Sequence, residues 1–368
     1  MTMLNRIPAL LLCCALAATA CQPHGGAIPP EPAQSERWVL LTRLGNDTIA
    51  VERVRSSADS VVATVVLRSP QTTLRVYRLA LDEDRRPTSM RVERLDPATG
   101  SVLETSVADL SAGTGIPFIE MVHWPFELML ARSAAAATDT VTLTLAAGER
   151  TVPFRMERLG GGRYTATHPT RGTMTLEADA QGRLLALDAS RTTRALTVTR
   201  EPDRDITALA RSFASRPTGE LSGRGEVAVH VAGADIAVDY GVPLKRGRDI
   251  FGALVPWDRV WRTGANRATH FSTTRALRVG DDVIPPGTYT LFTIPRPDRW
   301  TLIVNRNIDI NGQAYDPAAD LVHLDLAVRP LDQVVEPFTI IVEPDGPAGG
   351  LLRLRWDRTE AWLPFAVE

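Results

Sequence analysis

Cysteine is nearly missing from this chain of 368 residues: Cys13, Cys14 and Cys21 are the only three, all near its first residues. Beyond position 21, no disulfide framework, zinc knuckle, redox pair or thiol nucleophile can form. Lysine is scarcer still, Lys245 being the one lysine among 41 basic residues set against 43 acidic ones. The near-neutral balance leaves no electrostatic footprint for nucleic acid. A hydrophobic share of 44% and a charged share of 23% exclude a disordered tail, a coiled coil and a collagen-like fibre. Chemical signatures are also lacking. No G-x-S-x-G elbow, H-E-x-x-H, Walker loop or EF-hand loop occurs. The histidines His24, His123, His168, His230, His270 and His323 are scattered; His323 and Asp325 share a strand face, which is too few ligands for a metal site. No metal and no cofactor is expected.

The first apolar run is informative. Arg6 is the only charge before the apolar stretch 7–18, and small residues lead into Cys21. Residues 1–20 therefore read as a secretory signal peptide, too short to span a bilayer. The series Leu16-Ala-Ala-Thr-Ala-Cys21 is similar to a bacterial lipoprotein signal, which implies lipidation of Cys21. Residues 21–36, rich in Pro, Gly and Ala, read as a tether. The expected location is the cell envelope: exported, lipid-anchored through Cys21, at the outer membrane facing the periplasm. No nucleic-acid partner is expected.

Over 37–203 the dominant period is two, with Gly, Asp and Pro punctuating runs of Val, Thr, Leu and Arg every 8 to 12 residues or so. This predicts an antiparallel all-β meander, half-barrel-like, with one apolar helix near 117–137 kinked at Pro125. Half-open barrels that hold acyl chains share that layout, by analogy of fold alone. Leu79 to Arg86 lines up with Leu176 to Arg183 at a constant offset, each reading as strand, Asp-containing turn, strand. Residues 204–217 predict a helical linker.

The remaining part, 218–368, predicts a β-sandwich or jelly-roll-like domain. Here the sequence becomes specific. Tyr240-Gly-Val-Pro-Leu-Lys-Arg-Gly-Arg248-Asp-Ile-Phe-Gly252 is followed by Val255-Pro-Trp257 and Trp261-Arg-Thr-Gly-Ala-Asn266-Arg-Ala-Thr269. Pro285-Pro-Gly-Thr-Tyr289, Trp300-Thr-Leu-Ile-Val-Asn305 and Trp356 come after. In this order and spacing they resemble the bacterial family catalogued as domain of unknown function 2911. That resemblance implies a domain and no activity.

Trp rings beside Arg and Asn on an irregular segment suit a site where a ring face stacks and polar groups orient a ligand. The candidate ligand-binding residues are Arg248, Trp257, Trp261, Arg262, Thr263, Asn266, Thr269, His270, Tyr289, Trp300 and Asn305. The same residues can equally tie a long loop down. The expectation is a non-catalytic envelope protein that binds a glycan, peptide or lipid ligand or a partner. Two other readings stay open. One is a hydrolase using Arg262 and Asn266 with a carboxylate or His270; the other is an assembly lipoprotein holding an acyl chain against Phe118, Met121, Phe126 and Met129.

Overall fold

The computed structural model describes residues 36–110, 115–308, 310, 312 and 314–368. The expected signal peptide, Cys21 and nearly all of the expected tether fall outside the described residues. Among the described residues, two large sheets hold almost all regular structure, so the protein is all-β as expected.

The first sheet is built from two meanders. One runs β1 (Glu36–Leu44), β2 (Asp47–Ser56), β3 (Ser60–Leu67), β4 (Thr73–Leu81), β5 (Pro87–Leu95) and β6 (Val102–Asp109). After the two-residue β7 (Ile116–Pro117) and helix α1 (Pro125–Ala135), the other begins. It runs β8 (Thr140–Ala147), β9 (Arg150–Gly160), β10 (Arg163–His168), β11 (Gly172–Ala178), β12 (Leu184–Asp188) and β13 (Thr197–Pro202). Strand β13 pairs with β1, with Trp38 opposite Pro202 and Arg43 opposite Thr197, so the meanders fuse into one thirteen-stranded sheet. The predicted echo falls on two alike turns. Asp82 accepts the Arg86 amide at 2.6 Å, and Asp179 accepts the Arg183 amide at 2.9 Å.

Both faces of the sheet's centre are covered. Trp38, Leu40, Val61, Ala63 and Val65 face α1, whereas Val39, Leu41, Val51 and Val66 face a second helix, α2 (Ile206–Ala214). A strand buried on both faces needs apolar residues at every position, which explains the near-continuous run in β3. Asp205 caps α2, accepting the Thr207 and Ala208 amides at 3.0 Å each.

Helix α1 is shorter than the sequence suggests. Pro125 does not kink a helix over 117–137; it opens one, because its missing N–H is harmless at the first helical position. No side chain of Trp124 caps this end. Glu52 of β2 does the equivalent work from the sheet: its fully buried carboxylate accepts the His123 amide at 2.9 Å and the Trp124 amide at 2.9 Å. The acid thereby fixes the approach to α1 on the sheet.

The second sheet has nine strands: β14 (Ser222–Val231), β15 (Ala234–Pro243), β16 (Thr269–Thr273), β17 (Leu277–Val279), β18 (Asp282–Ile284), β19 (Gly287–Pro295), β20 (Arg299–Asn305), β21 (Asp320–Pro344) and β22 (Gly349–Val367). The sequence suggests separate strands over 321–328 and 338–343, and again over 351–356 and 361–365. Each pair is instead one long strand. The β21–β22 ladder shifts register between Pro330 and Val335 and again before Thr339, where prolines at 330 and 337 withhold amides. Beyond these irregularities β21 packs against β14 and β15, so a single sheet folds over its own core of Phe271, Trp300, Phe338 and Trp356.

The two sheets are joined firmly. The Asn46 amide donates to the Arg246 carbonyl at 2.9 Å, and the Thr218 amide to the Arg68 carbonyl at 2.9 Å. Arg246, its side chain 6% exposed, pairs with Asp47 of the first sheet and reaches the Glu220 carbonyl at 3.3 Å. Leu44, Ile49 and Ala195 pack with Leu221 and Leu254 across the same boundary.

Candidate functional site

The loop 244–268 connects β15 to β16 and carries most of the predicted site. Its irregularity is written in its residues. Arg246, Gly247, Gly252, Asp258, Thr263 and Asn266 all have left-handed backbone, which a strand cannot accommodate. Gly241 lets the loop return closely, since a Cβ there would meet the Ala265 carbonyl oxygen at 1.9 Å. Trp261 anchors the middle: its amide donates to the Thr293 carbonyl at 2.7 Å, and its ring stacks on Trp356 with centroids 5.9 Å apart.

A cleft of about 640 Å³ opens where this loop faces the first sheet. Four predicted residues line it: Arg248, Trp261, Arg262 and Asn266. The opposite wall is formed by Arg75 of β4 and by Arg171, Arg191 and Arg194, on the turns that flank β11 and β12. Thr192 builds the latter turn, its hydroxyl donating to the Ala189 carbonyl at 2.7 Å. Six arginines and two glutamates, Glu120 and Glu220, thus line the cleft, a surplus of four positive charges. Glu120 is already shared. It accepts from Arg171 at 2.8 Å and 3.2 Å and pairs with Arg194 as well.

The arginines are not alike. Arg248 donates to the carbonyls of Lys245 at 3.1 Å and Leu244 at 2.5 Å, tying down its own loop. Arg262 bonds to nothing among the described residues, and its Nε is fully buried without a partner. Burial pushes its guanidinium below the usual arginine value, and no acid compensates. Gly312 makes room for its stem, as a Cβ there would come within 2.3 Å of Arg262 Cδ.

The other predicted residues do not reach the cleft. Thr263, Thr269 and Asn305 are fully buried and hold backbone: Thr269 Oγ1 donates to the Thr263 carbonyl at 2.7 Å, and Asn305 Nδ2 to the Asp316 carbonyl at 2.9 Å. Tyr289 donates to the Pro285 carbonyl at 2.9 Å, and Trp300 is buried in the second core. Trp257 stacks on Phe251, centroids 5.8 Å apart. His270 alternates with the buried Thr269 and Phe271 and stands opposite Asp239 on β15. Among the described residues, neither it nor a carboxylate meets Arg262. Of these predicted residues, Thr263, Thr269, Asn305 and Tyr289 hydrogen-bond to backbone, and Trp257 and Trp300 pack on rings within the domain. His323 likewise pairs with Asp320 at 2.8 Å, not with Asp325, because the chain enters β21 at Asp320.

The first wall was out of reach of sequence reading. Arg75, Arg171, Arg191 and Arg194 sit among many outward arginines on turns and strands, and only the tertiary fold singles them out. Beside them lies an apolar slot of about 40 Å³, lined by Phe118, Met121, Phe126, Phe154 and Met174. A water needs ~10–15 Å³ of such space, so the slot has room for a few waters. Met129 is wholly buried in the packed core. The slot is no chamber for an acyl chain.

Among the described residues no group of three or more His, Cys, Asp or Glu gathers to hold a metal, and no helix is long and apolar enough to cross a membrane. The chain matches no curated protein. Residues 222–365, which supply the loop, its flanking strands and one wall of the cleft, match the family described as protein of unknown function (DUF2911).

Proposed function

We propose that this is a lipid-anchored protein of the bacterial envelope that binds a ligand, without catalysis, in the cleft between its two domains, 37–203 and 218–368. The observation that carries the reading is the cleft itself: about 640 Å³, between walls locked together through Arg246 and Asp47. Small-molecule sites are typically concave, of ~300–1,000 Å³, and largely formed before the ligand arrives. Trp261 and Asn266 on one wall and Met121 and Arg194 on the other offer stacking, apolar and polar contacts to one molecule. The anchor rests on the signal-like leader ending at Cys21.

Native mass spectrometry of the protein purified from its own membranes tests the site. A bound small molecule is expected in the wild type and not in Thr193→Trp, which fills the cleft from an exposed position. An adduct carried equally by both proteins overturns the assignment. For the anchor, incorporation of radioactive palmitate should vanish in Cys21→Ala; persistence in that variant contradicts it.

A further inference from the structure

We infer that the ligand of the cleft is a phosphate monoester with an apolar or ring-bearing body, and that Arg262 is its anion contact. This rests on the cleft being a binding site. Three observations lead to the class of ligand. First, six arginines against two glutamates leave a surplus of four positive charges facing one open cleft. Walls of one sign around a cleft focus the field and draw in counter-ions. A phosphate monoester, carrying ~1.5–2 negative charges at neutral pH, answers that surplus better than a single carboxylate does.

Second, among the described residues Arg262 is the one arginine of the loop wall with no hydrogen-bond partner. A guanidinium offers five donors in a planar fork that matches phosphate geometry. Arg248 spends its donors on loop carbonyls, and Arg171 and Arg194 share Glu120. In Arg262 the Nε is shielded from solvent with no acceptor. An unmatched, largely buried cation is costly, and a phosphate held by the guanidinium at the cleft offsets that charge. Third, Trp261, Leu254, Ile119 and Met121 line the same space, so the ligand has an apolar portion.

A phosphate monoester of this kind can be a soluble ester or the headgroup of a lipid. Calorimetric titration of the full chain in detergent separates them, with phenyl phosphate and dihexanoyl phosphatidic acid as probes, and phenol and dihexanoylglycerol as their neutral counterparts. Both phosphates should bind and neither neutral compound should. Much tighter binding of the phosphatidic acid assigns a lipid headgroup; equal binding assigns a soluble ester. Arg262→Gln should weaken phosphate binding by about tenfold to a hundredfold, and Arg262→Lys should restore part of it. Arg191→Gln, at an exposed position, should weaken binding by about two- to fivefold through the field alone, so the test survives if position 262 tolerates no change.

Binding of the neutral probes as tightly as the phosphates, or unchanged affinity in Arg262→Gln, overturns the anion inference. So does failure of both phosphates to bind. The cleft reading fails separately, if phosphate binding in Thr193→Trp equals that of the wild type.

Discussion

Arg246 and Arg262 stand on the same loop, both largely withdrawn from water and each with an unpartnered Nε, yet only Arg246 has partners for the rest of its guanidinium. Arg246 pairs with Asp47, reaches the Glu220 carbonyl, and donates its own amide to Glu336 at 2.6 Å. Arg262 meets neither an acid nor a carbonyl among the described residues. The first arginine closes the boundary between the sheets; the second faces the space that closure leaves. Buried charge is costly unless it is matched, so a matched arginine marks architecture and an unmatched one marks a place for something else.

The acids of the first sheet repeat the contrast. Glu52 is fully buried and accepts three hydrogen bonds from the amides of His123 and Trp124, whereas Glu127 on α1 has the Leu184 amide at 3.0 Å and a distant Arg200 at 3.4 Å. Burial, only partly offset by Arg200, pushes the Glu127 carboxyl up to about 7. Matching of a buried charge, rather than burial alone, decides whether a charge strengthens the fold.

The largest expected effect tests the matched side of the comparison. Arg246→Ala should cost ~3–5 kcal/mol in urea unfolding, because it removes a buried arginine stem with its bonds to Asp47 and the Glu220 carbonyl, and should split one transition into two as the sheets uncouple. A loss below about 1 kcal/mol would equate Arg246 with a surface arginine.

Next is Glu127. Its folded-state value lies above the ordinary glutamate value of 4.5, so the folded protein keeps a proton that the unfolded chain has released. The stability it contributes is complete below the unfolded value and is lost as pH rises through about 7. This amounts to roughly 3 kcal/mol between those limits. Unfolding measured across that window should show the decline in wild type and not in Glu127→Gln; the same decline in both proteins would contradict the assignment.

The smallest effect concerns the exposed acid of the cleft. Glu120→Gln should change stability by no more than ~1 kcal/mol, since its pairs with Arg171 and Arg194 are partly solvated. It should nevertheless tighten phosphate binding, by freeing both guanidinium groups. Looser binding in that variant would mean that Glu120 orients the arginines rather than competing for them.

Much of this architecture is legible in the residues. Period-two runs mark the strands of both sheets, and Asp205 signals the start of α2 through its side chain. Pro125 is visible too, although its role reverses: the apolar density over 118–124 resembles helix, but those residues approach α1 along the sheet under the control of Glu52, 71 positions away from His123. No local pattern encodes such a pairing. The long bent strand β21 reads as two because prolines that end most strands are tolerated here at bulges, and β22 because polar residues 357–360 interrupt its apolar runs, Asp357 taking left-handed backbone there.

The site is legible by halves. Arg248, Trp261, Arg262 and Asn266 share one loop, so their nearness follows from sequence. Thr263, Thr269, Tyr289, Trp300 and Asn305 belong to the same motif but point inward, where strand and loop carbonyls need donors and the core needs volume. Arg171, Arg191 and Arg194 reach the cleft only because β13 pairs with β1 and swings their turns toward the second domain. That is a consequence of topology, which the order of residues does not reveal.

The most direct test of the account is the urea midpoint of Arg262→Met beside wild type, each with and without phenyl phosphate. Without ligand the variant should be as stable as wild type or more stable by up to ~2 kcal/mol, since an unmatched buried cation is replaced by an apolar stem. With ligand, wild type should gain stability and the variant should not. A variant that unfolds more easily without ligand, or that phenyl phosphate still stabilises as it does wild type, would make Arg262 one more tie in the loop and leave the cleft without its anion contact.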